Sequence, residues 1–196
     1  DLSLTVSGLL SRKLGGPSVM PPQPEGVWRN PYSSEKWSVS KGEDRYRRGL
    51  YTFLRRTSPY PAMMTFDATS REFCTVRRIR TNTPLQAFVT LNDPVFLETH
   101  QAMARRLVRE AQTQPERLSR LFKLCLAREP RVDEVAALTK LHTESLAMYR
   151  ADAAAASKMA TEPLGPVEAG ADVVELAAWT AVANVVMNLD EFLMRR

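Results

Sequence analysis

The residues best suited to chemistry lie in FDATSREFCTVRRIRTN, residues 66–82. A carboxylate there can pair with both nitrogens of a guanidinium, and clustered arginines can hold a carboxylate, phosphate or sulfate in the same bidentate way. We therefore expect either a structural brace or an anion-binding site, and the acids close by in sequence favour the brace. The candidate binding residues are Asp67, Arg71, Arg77, Arg78, Arg80 and Asn82, together with Trp28 and Trp37 of an earlier aromatic segment.

Catalytic and metal chemistry have less support in the sequence. Cys74 lies beside arginines that favour a thiolate, but no base for nucleophilic catalysis is evident near it. Cys125 falls on an apolar helix face, and a disulfide between the two cysteines stays open. His100 and His142 could face each other as acid and base or as metal ligands. Neither has a second ligand at metal spacing, so core positions are favoured and no metal site is predicted.

Helix signals are clearest around the two X-Pro steps that follow this stretch. Thr81 or Thr83 can cap a helix that begins at Pro84, and Asp93 can cap the next helix, which begins at Pro94. Apolar stripes of helical period continue that second helix and predict two more, one after residue 115 and one over about 132–149. The sequence thus predicts a helical region over residues 84–150.

The other segments differ in composition. Residues 15–43 are rich in Pro, Gly and Ser but carry several aromatics, so we expect an extended segment that lies along the domain, the alternative being an exposed partner-binding strip. Residues 44–58 interleave arginines with aromatics and predict a short helix or strand. Packing of arginine stems over tyrosines is favoured there over stacking on bases or sugars. Residues 151–171 read as a frayed helix end and an exposed loop.

A closing helix over residues 172–194 is apolar nearly all round, which indicates a central buried helix. Asn184 and Asn188, four residues apart, share one face of this helix, and each needs a hydrogen-bond partner if it is buried. The whole predicts a mainly α fold, an irregular helical single domain over residues 1–196 with a Pro-rich extended segment and at most a minor strand pair near residues 47–80.

Bulk composition narrows the class of protein. The 196 residues are 44% hydrophobic, enough for a packed core, and 27 basic against 22 acidic residues give a net charge of +5. Because the acids are dispersed among the arginines, we do not expect nucleic-acid binding. No apolar stretch approaches the roughly 18 to 20 residues of a membrane span. Residues 2–10 read as the end of a helix, so we expect a fragment of a longer protein.

Four stretches together resemble one known family. YRRGLYTFLRRTSPYPAMMTFDATSREFCTVRRIRTNTPLQAFVTLNDPVFLE is similar to the signature of the planctomycete-specific PSD-one domain, also called domain of unknown function fifteen fifty-three. GGPSVMPPQPEGVW, LFKLCLAREPRVDEVAAL and ELAAWTAVANVVMNLDEFL resemble its Pro-rich entry, helical hairpin and closing helix. One departure is local: Arg131 and Val132 stand where Thr-Pro usually opens the second helix of the hairpin.

The resemblance implies the C-terminal part of a large extracytoplasmic protein, preceded by a companion domain and often by a cytochrome c-type domain. Haem c is then expected in upstream parent domains, and no cofactor in this chain. The first hypothesis is a non-catalytic module that packs on upstream domains of the same polypeptide and helps bind a polysaccharide or anionic ligand. The second is a hydrolase or redox enzyme whose site is completed by upstream residues, using Asp67, Arg71, Arg78 or Cys74.

Overall fold

The structure, a computed structural model, describes residues 1–24, 26, 36–55, 57–69, 72–77 and 81–194. Helices dominate this part of the chain, and the prediction of a mainly α fold is confirmed. They are α1 (Leu2–Ser7), α2 (Pro61–Thr65), α3 (Pro84–Asn92), α4 (Pro94–Glu110), α5 (Gln114–Leu126), α6 (Val132–Ala151), α7 (Ala153–Thr161), α8 (Val173–Val186) and α9 (Asp190–Leu193).

In the described residues, β-type pairing is limited to two isolated parallel bridges, Ser11 to Arg47 and Val19 to Thr52. Residues 42–46 and 49–51 form two short 3₁₀ helices, so the segment predicted as a short helix or strand is helical, though not as one continuous α-helix. Val19 is buried, and its backbone N–H donates to the Tyr51 carbonyl at 2.8 Å. The bridge at Val19 therefore attaches the described part of the Pro-rich segment to residues 51–53 of the domain.

Local side-chain caps fix where the central helices begin. Thr83 accepts from the backbone N–H of Gln86, whose side chain accepts in return from the Thr83 N–H at 3.0 Å. Asp93 accepts from the N–H of Val95 at 2.9 Å and so caps α4. Thr83, and not Thr81, is thus the cap of α3. These contacts satisfy N–H groups that have no partner within the helix.

The core is built around α8, which packs against α4, α6 and α7. Trp179, Val182 and Val186 are fully buried on it, against Leu107 of α4 and Phe122 of α5. A helix that is apolar nearly all round can be buried only if neighbours cover most of its sides, and on α8 Val185 near its end stays 40% exposed. Within the described residues no helix is both long and apolar enough to cross a membrane.

The segment predicted as a frayed helix end and an exposed loop begins with a separate helix, α7, so the frayed end was wrong. Residues 162–171 form the loop that was predicted. Asp152 caps it by accepting from the Ala155 N–H at 2.9 Å. Ala156 and Ala160 are buried against Tyr149 and α8. The alanines carry little apolar area, which gave a weak hydrophobic pattern, but their small size lets the backbones of α7 and α8 approach closely.

The closing segment, residues 172–194, contains two helices and not one. Asp172 caps α8 by accepting from the N–H groups of Val174 and Glu175, and the chain turns after Val186 before α9 begins. Asn188 accepts from the Thr90 hydroxyl, and the Asn184 amide donates to the Leu91 carbonyl at 3.1 Å. Asn184 of α8 and Asn188 of the turn that follows it therefore both bond to α3.

Candidate functional site

Asp67 anchors the start of the arginine-rich loop. It adopts a left-handed backbone conformation with φ of 56° and accepts from the Thr81 N–H at 2.7 Å and from the Thr81 hydroxyl at 2.8 Å. The amide of Gln86 adds a longer contact at 3.5 Å. These hydrogen bonds, first of all the backbone one from Thr81, hold the pKa of Asp67 below its ordinary value. Among the described residues its partners are a threonine and a glutamine, so this carboxylate closes the loop.

The other candidate binding residues that the structure describes, Arg77, Asn82 and Trp37, have separate contacts. Arg77 is exposed, and the Asn82 amide donates to the Asp190 carboxylate at the start of α9. Trp37 donates from Nε1 to the Pro21 carbonyl at 2.8 Å and stacks on Tyr60 with ring centroids 5.8 Å apart. Four candidates lie outside the described residues: Trp28, Arg71, Arg78 and Arg80.

In the arginine–aromatic segment, residues 44–58, a buried arginine holds an earlier part of the chain in place. Arg47 is buried, donates to the carbonyls of Pro17 and Lys13 at 3.2 Å and also to that of Gly15, and lies 3.6 Å from the centroid of the Tyr51 ring. The guanidinium thereby ties residues 13–17 to the turn that follows it. This geometry agrees with the interpretation of arginine stems packed over tyrosines.

A buried carboxylate that sequence patterns did not reveal lies on α4. Glu98 is 3% exposed and accepts from the Tyr46 hydroxyl at 2.8 Å and from Arg45 Nε at 3.0 Å. Burial, then the bond to Glu98, raises the pKa of Tyr46 to about 12. The three side chains attach the 42–46 turn to α4. Glu98 is not one of the apolar residues whose helical spacing predicted α4, so no sequence pattern indicated its burial.

The two histidines have separate surroundings. His100 is 1% exposed on α4, and burial lowers its pKa to about 3, so its imidazole is neutral at physiological pH. His142 on α6 packs on Trp179 with centroids 4.6 Å apart, and its Nδ1 lies 3.2 Å from the Gln114 amide nitrogen. Burial lowers the pKa of His142 too. Both therefore take the core positions that the sequence favoured.

Metal and thiol chemistry find no assembled site in the described part of the chain. Within it no three His, Cys, Asp or Glu side chains group closely enough to hold a metal ion. Cys74 is exposed and Cys125 is buried in the core, and no disulfide joins them.

The outer face of α3 is the most unusual surface feature. Leu85, Phe88 and Leu91 are 60%, 64% and 40% exposed, whereas Gln86 and Thr90 on the inner face are 3% and 1% exposed. Gln86 Nε2 donates to the Thr65 carbonyl at 2.8 Å. Polar contacts thus hold this helix on the domain while its apolar side chains face solvent, the reverse of an ordinary surface helix. The three-residue spacing of these apolar residues was readable in the sequence, but spacing alone does not reveal which face turns inward.

Comparison with known proteins gives a family and no further relative. No curated protein and no solved structure matches the chain. Residues 1–142 match the model of a family described as PSD1, protein of unknown function (DUF1553). The matched range includes the Asp67 loop, the inverted helix α3 and the hairpin formed by α5 and the first half of α6. The chain therefore belongs to the PSD1 (DUF1553) family of proteins of unknown function.

Proposed function

We propose that the chain is a non-catalytic module of a larger extracytoplasmic protein, and that the outer face of α3 docks on another domain of the same polypeptide. The observation that carries the proposal is the inversion of α3, which exposes Leu85, Phe88 and Leu91 while burying polar residues. Contiguous exposed apolar side chains on a folded domain are typical of an interaction surface.

The chemistry of the face supports an apolar protein surface as its occupant. Residues 81–92, TNTPLQAFVTLN, contain no charged side chain. Charged glycans and nucleic acids need cations to neutralise them, which this helix does not offer. An uncharged apolar helix face fits the hydrophobic centre of a domain interface.

The finer parts of the proposal rest on family resemblance alone. They are the extracytoplasmic location, the upstream partner domains, haem c carried by those domains, and polysaccharide binding. The enzyme alternative needs residues from other domains, and in the described residues Cys74 has no base bonded to it. The carboxylate of Asp67, another residue of that alternative, accepts from Thr81 and so serves a structural contact.

Thiol labelling can test the docking directly. In a Cys74→Ser background, Phe88→Cys places a reactive group on the face, and Met148→Cys places one at a comparably exposed apolar position on α6. We expect residue 88 to label at least about tenfold more slowly in the full natural polypeptide than in the 196-residue chain, because docking excludes the reagent. Residue 148 should label equally in both.

Two results would overturn this proposal. Equal labelling of residue 88 in both proteins would mean that the face stays free. Protection that grows with protein concentration, accompanied by dimers in sedimentation, would make a second copy of the chain the occupant.

A further inference from the structure

A groove separate from α3 lies between α1, α4 and the loop that joins α7 to α8. Its volume is about 1030 Å³. Four arginines line it: Arg12, which follows α1, and Arg105, Arg106 and Arg109 of α4. The lining acids are Glu110 and Glu168, so positive charge exceeds negative charge in the groove.

Two of the arginines build its walls. Arg106 donates to Glu110 at 2.7 Å and to the Val6 carbonyl at 2.7 Å, which fixes α1 on α4. Glu110 also accepts from Arg120 at 2.8 Å, so its charge is shared between two cations. Arg105 donates to the carbonyls of Ala160 and Pro166 at 3.1 Å and to that of Gly165, and its buried Nε has no hydrogen-bond partner among the described residues. No described carboxylate forms an ion pair with Arg105.

The other two arginines are free to meet a ligand. Arg12 and Arg109 are exposed, and neither forms an ion pair or a side-chain hydrogen bond with any residue that the structure describes. The groove carries more positive than negative charge, so it favours an anion. An anion in the groove can contact Arg12 and Arg109, which have no other partner among the described residues, and the partly buried Arg105. Such charge-assisted contacts are the strongest hydrogen bonds available to a carboxylate.

The floor of the groove is aliphatic. No aromatic side chain is among its described lining residues, so the stacking by which proteins hold sugar rings and bases is missing there. Aliphatic lining residues come from α1, α4, α5, α8 and the α7–α8 loop, among them Leu2, Val6, Val108, Leu124, Val167 and Leu176. A ligand that matches both the arginines and the aliphatic residues of the groove has an anionic head and a flexible apolar chain.

We propose that this groove binds a single molecule of an anionic amphiphile, with a carboxylate at Arg12 and Arg109 and an acyl chain on the aliphatic floor. The volume suits such a ligand, since small-molecule sites commonly measure about 300 to 1,000 Å³. The inference is independent of docking at α3, because the two surfaces share no residue.

Calorimetric titration with sodium laurate, below its micelle concentration and at low salt, tests the proposal. We expect one laurate per chain, and a dissociation constant raised about tenfold or more in Arg12→Gln/Arg109→Gln. The melting temperature of that variant should not change, since these side chains hold nothing in the described structure. Arg150→Gln/Lys158→Gln removes the same charge from exposed helix positions outside the groove and should bind as the wild type does.

Further probes separate the groove from its alternatives. Acetate and the uncharged dodecyl maltoside should bind at least tenfold more weakly than laurate, because acetate lacks the long alkyl chain and dodecyl maltoside lacks the carboxylate. Unchanged laurate affinity in the groove variant, or an equal loss in the control variant, would contradict the proposal. Binding to phosphatidylglycerol vesicles without binding of monomeric laurate would also overturn it, since a membrane surface would then be the partner.

Discussion

At the scale of single residues, long-range polar contacts do much of the work of holding this protein together. Glu98 receives its two donors from residues more than fifty positions earlier in the chain. Asp67 accepts from the Thr81 N–H and so closes a loop, and Arg47 donates to three backbone carbonyls. Sequence reasoning named Asp67 as an anchor of this loop through an arginine. It did not predict the bond from the Thr81 N–H, because residue types do not show which backbone N–H comes near.

Glu98→Gln should destabilise the fold because Arg45 and Tyr46 then face a neutral side chain in a buried setting. We expect a loss of about 1 to 3 kcal/mol in the free energy of unfolding, measured by urea denaturation. Glu144→Gln makes the same chemical change at an exposed helix position that pairs with Lys140 at 3.9 Å. It should change stability by less than about 0.5 kcal/mol. Equal effects of the two substitutions would show that the carboxylate of Glu98 is not a structural anchor.

At the scale of elements, helix starts were the most predictable feature. Caps such as Thr83 and Asp93 act within three residues, so their signal is local and complete in the sequence. At α6 the Glu134 carboxylate accepts from the Arg131 N–H at 2.7 Å, which caps the helix despite the absence of the family's usual Thr-Pro. Helix α7 escaped prediction because its buried face consists of alanines, whose burial depends on how closely α8 approaches.

The tight packing of α7 on α8 can be tested by enlarging one alanine. Ala156 is 1% exposed, so Ala156→Leu must displace neighbours, and we expect a loss of about 1 to 3 kcal/mol in urea unfolding. Ala154→Leu adds the same atoms to an exposed position of the same helix and should stay within about 0.5 kcal/mol of the wild type. A similar stability for both variants would indicate that α7 does not pack closely.

At the scale of the whole molecule, the sequence predicted the composition of the core but not its arrangement. The apolar circumference of α8 indicated a central helix, and the structure surrounds it with α4, α6 and α7. The inversion of α3 and the arginines of the groove depend on how helices rotate and cross. Those rotations are set by packing between distant segments, and no periodicity within one segment encodes them.

One arginine joins three distant parts of this arrangement. Arg128, just after α5, donates two bonds of 2.8 Å to Glu134 at the start of α6 and bonds of 2.8 and 2.7 Å to Glu191 of α9. The bonds from Arg128 are the main cause that lowers the pKa of Glu134 to about 2, against an ordinary value of 4.5. The charged form of Glu134 is thus favoured in the folded protein.

The pH dependence of stability should show this linkage. A carboxylate whose pKa is lower in the folded than in the unfolded state stabilises the fold fully above pH 4.5 and loses that contribution as pH falls toward 2. Compared with Glu134→Gln, the wild type should be more stable by about 1 to 2 kcal/mol at pH 7, a value that allows for solvent screening. Urea unfolding at intervals between pH 7 and pH 3 should show this advantage shrinking below pH 4.5. An advantage over Glu134→Gln that does not change with pH would mean that shape, and not charge, accounts for the role of Glu134 at the junction of α5, α6 and α9.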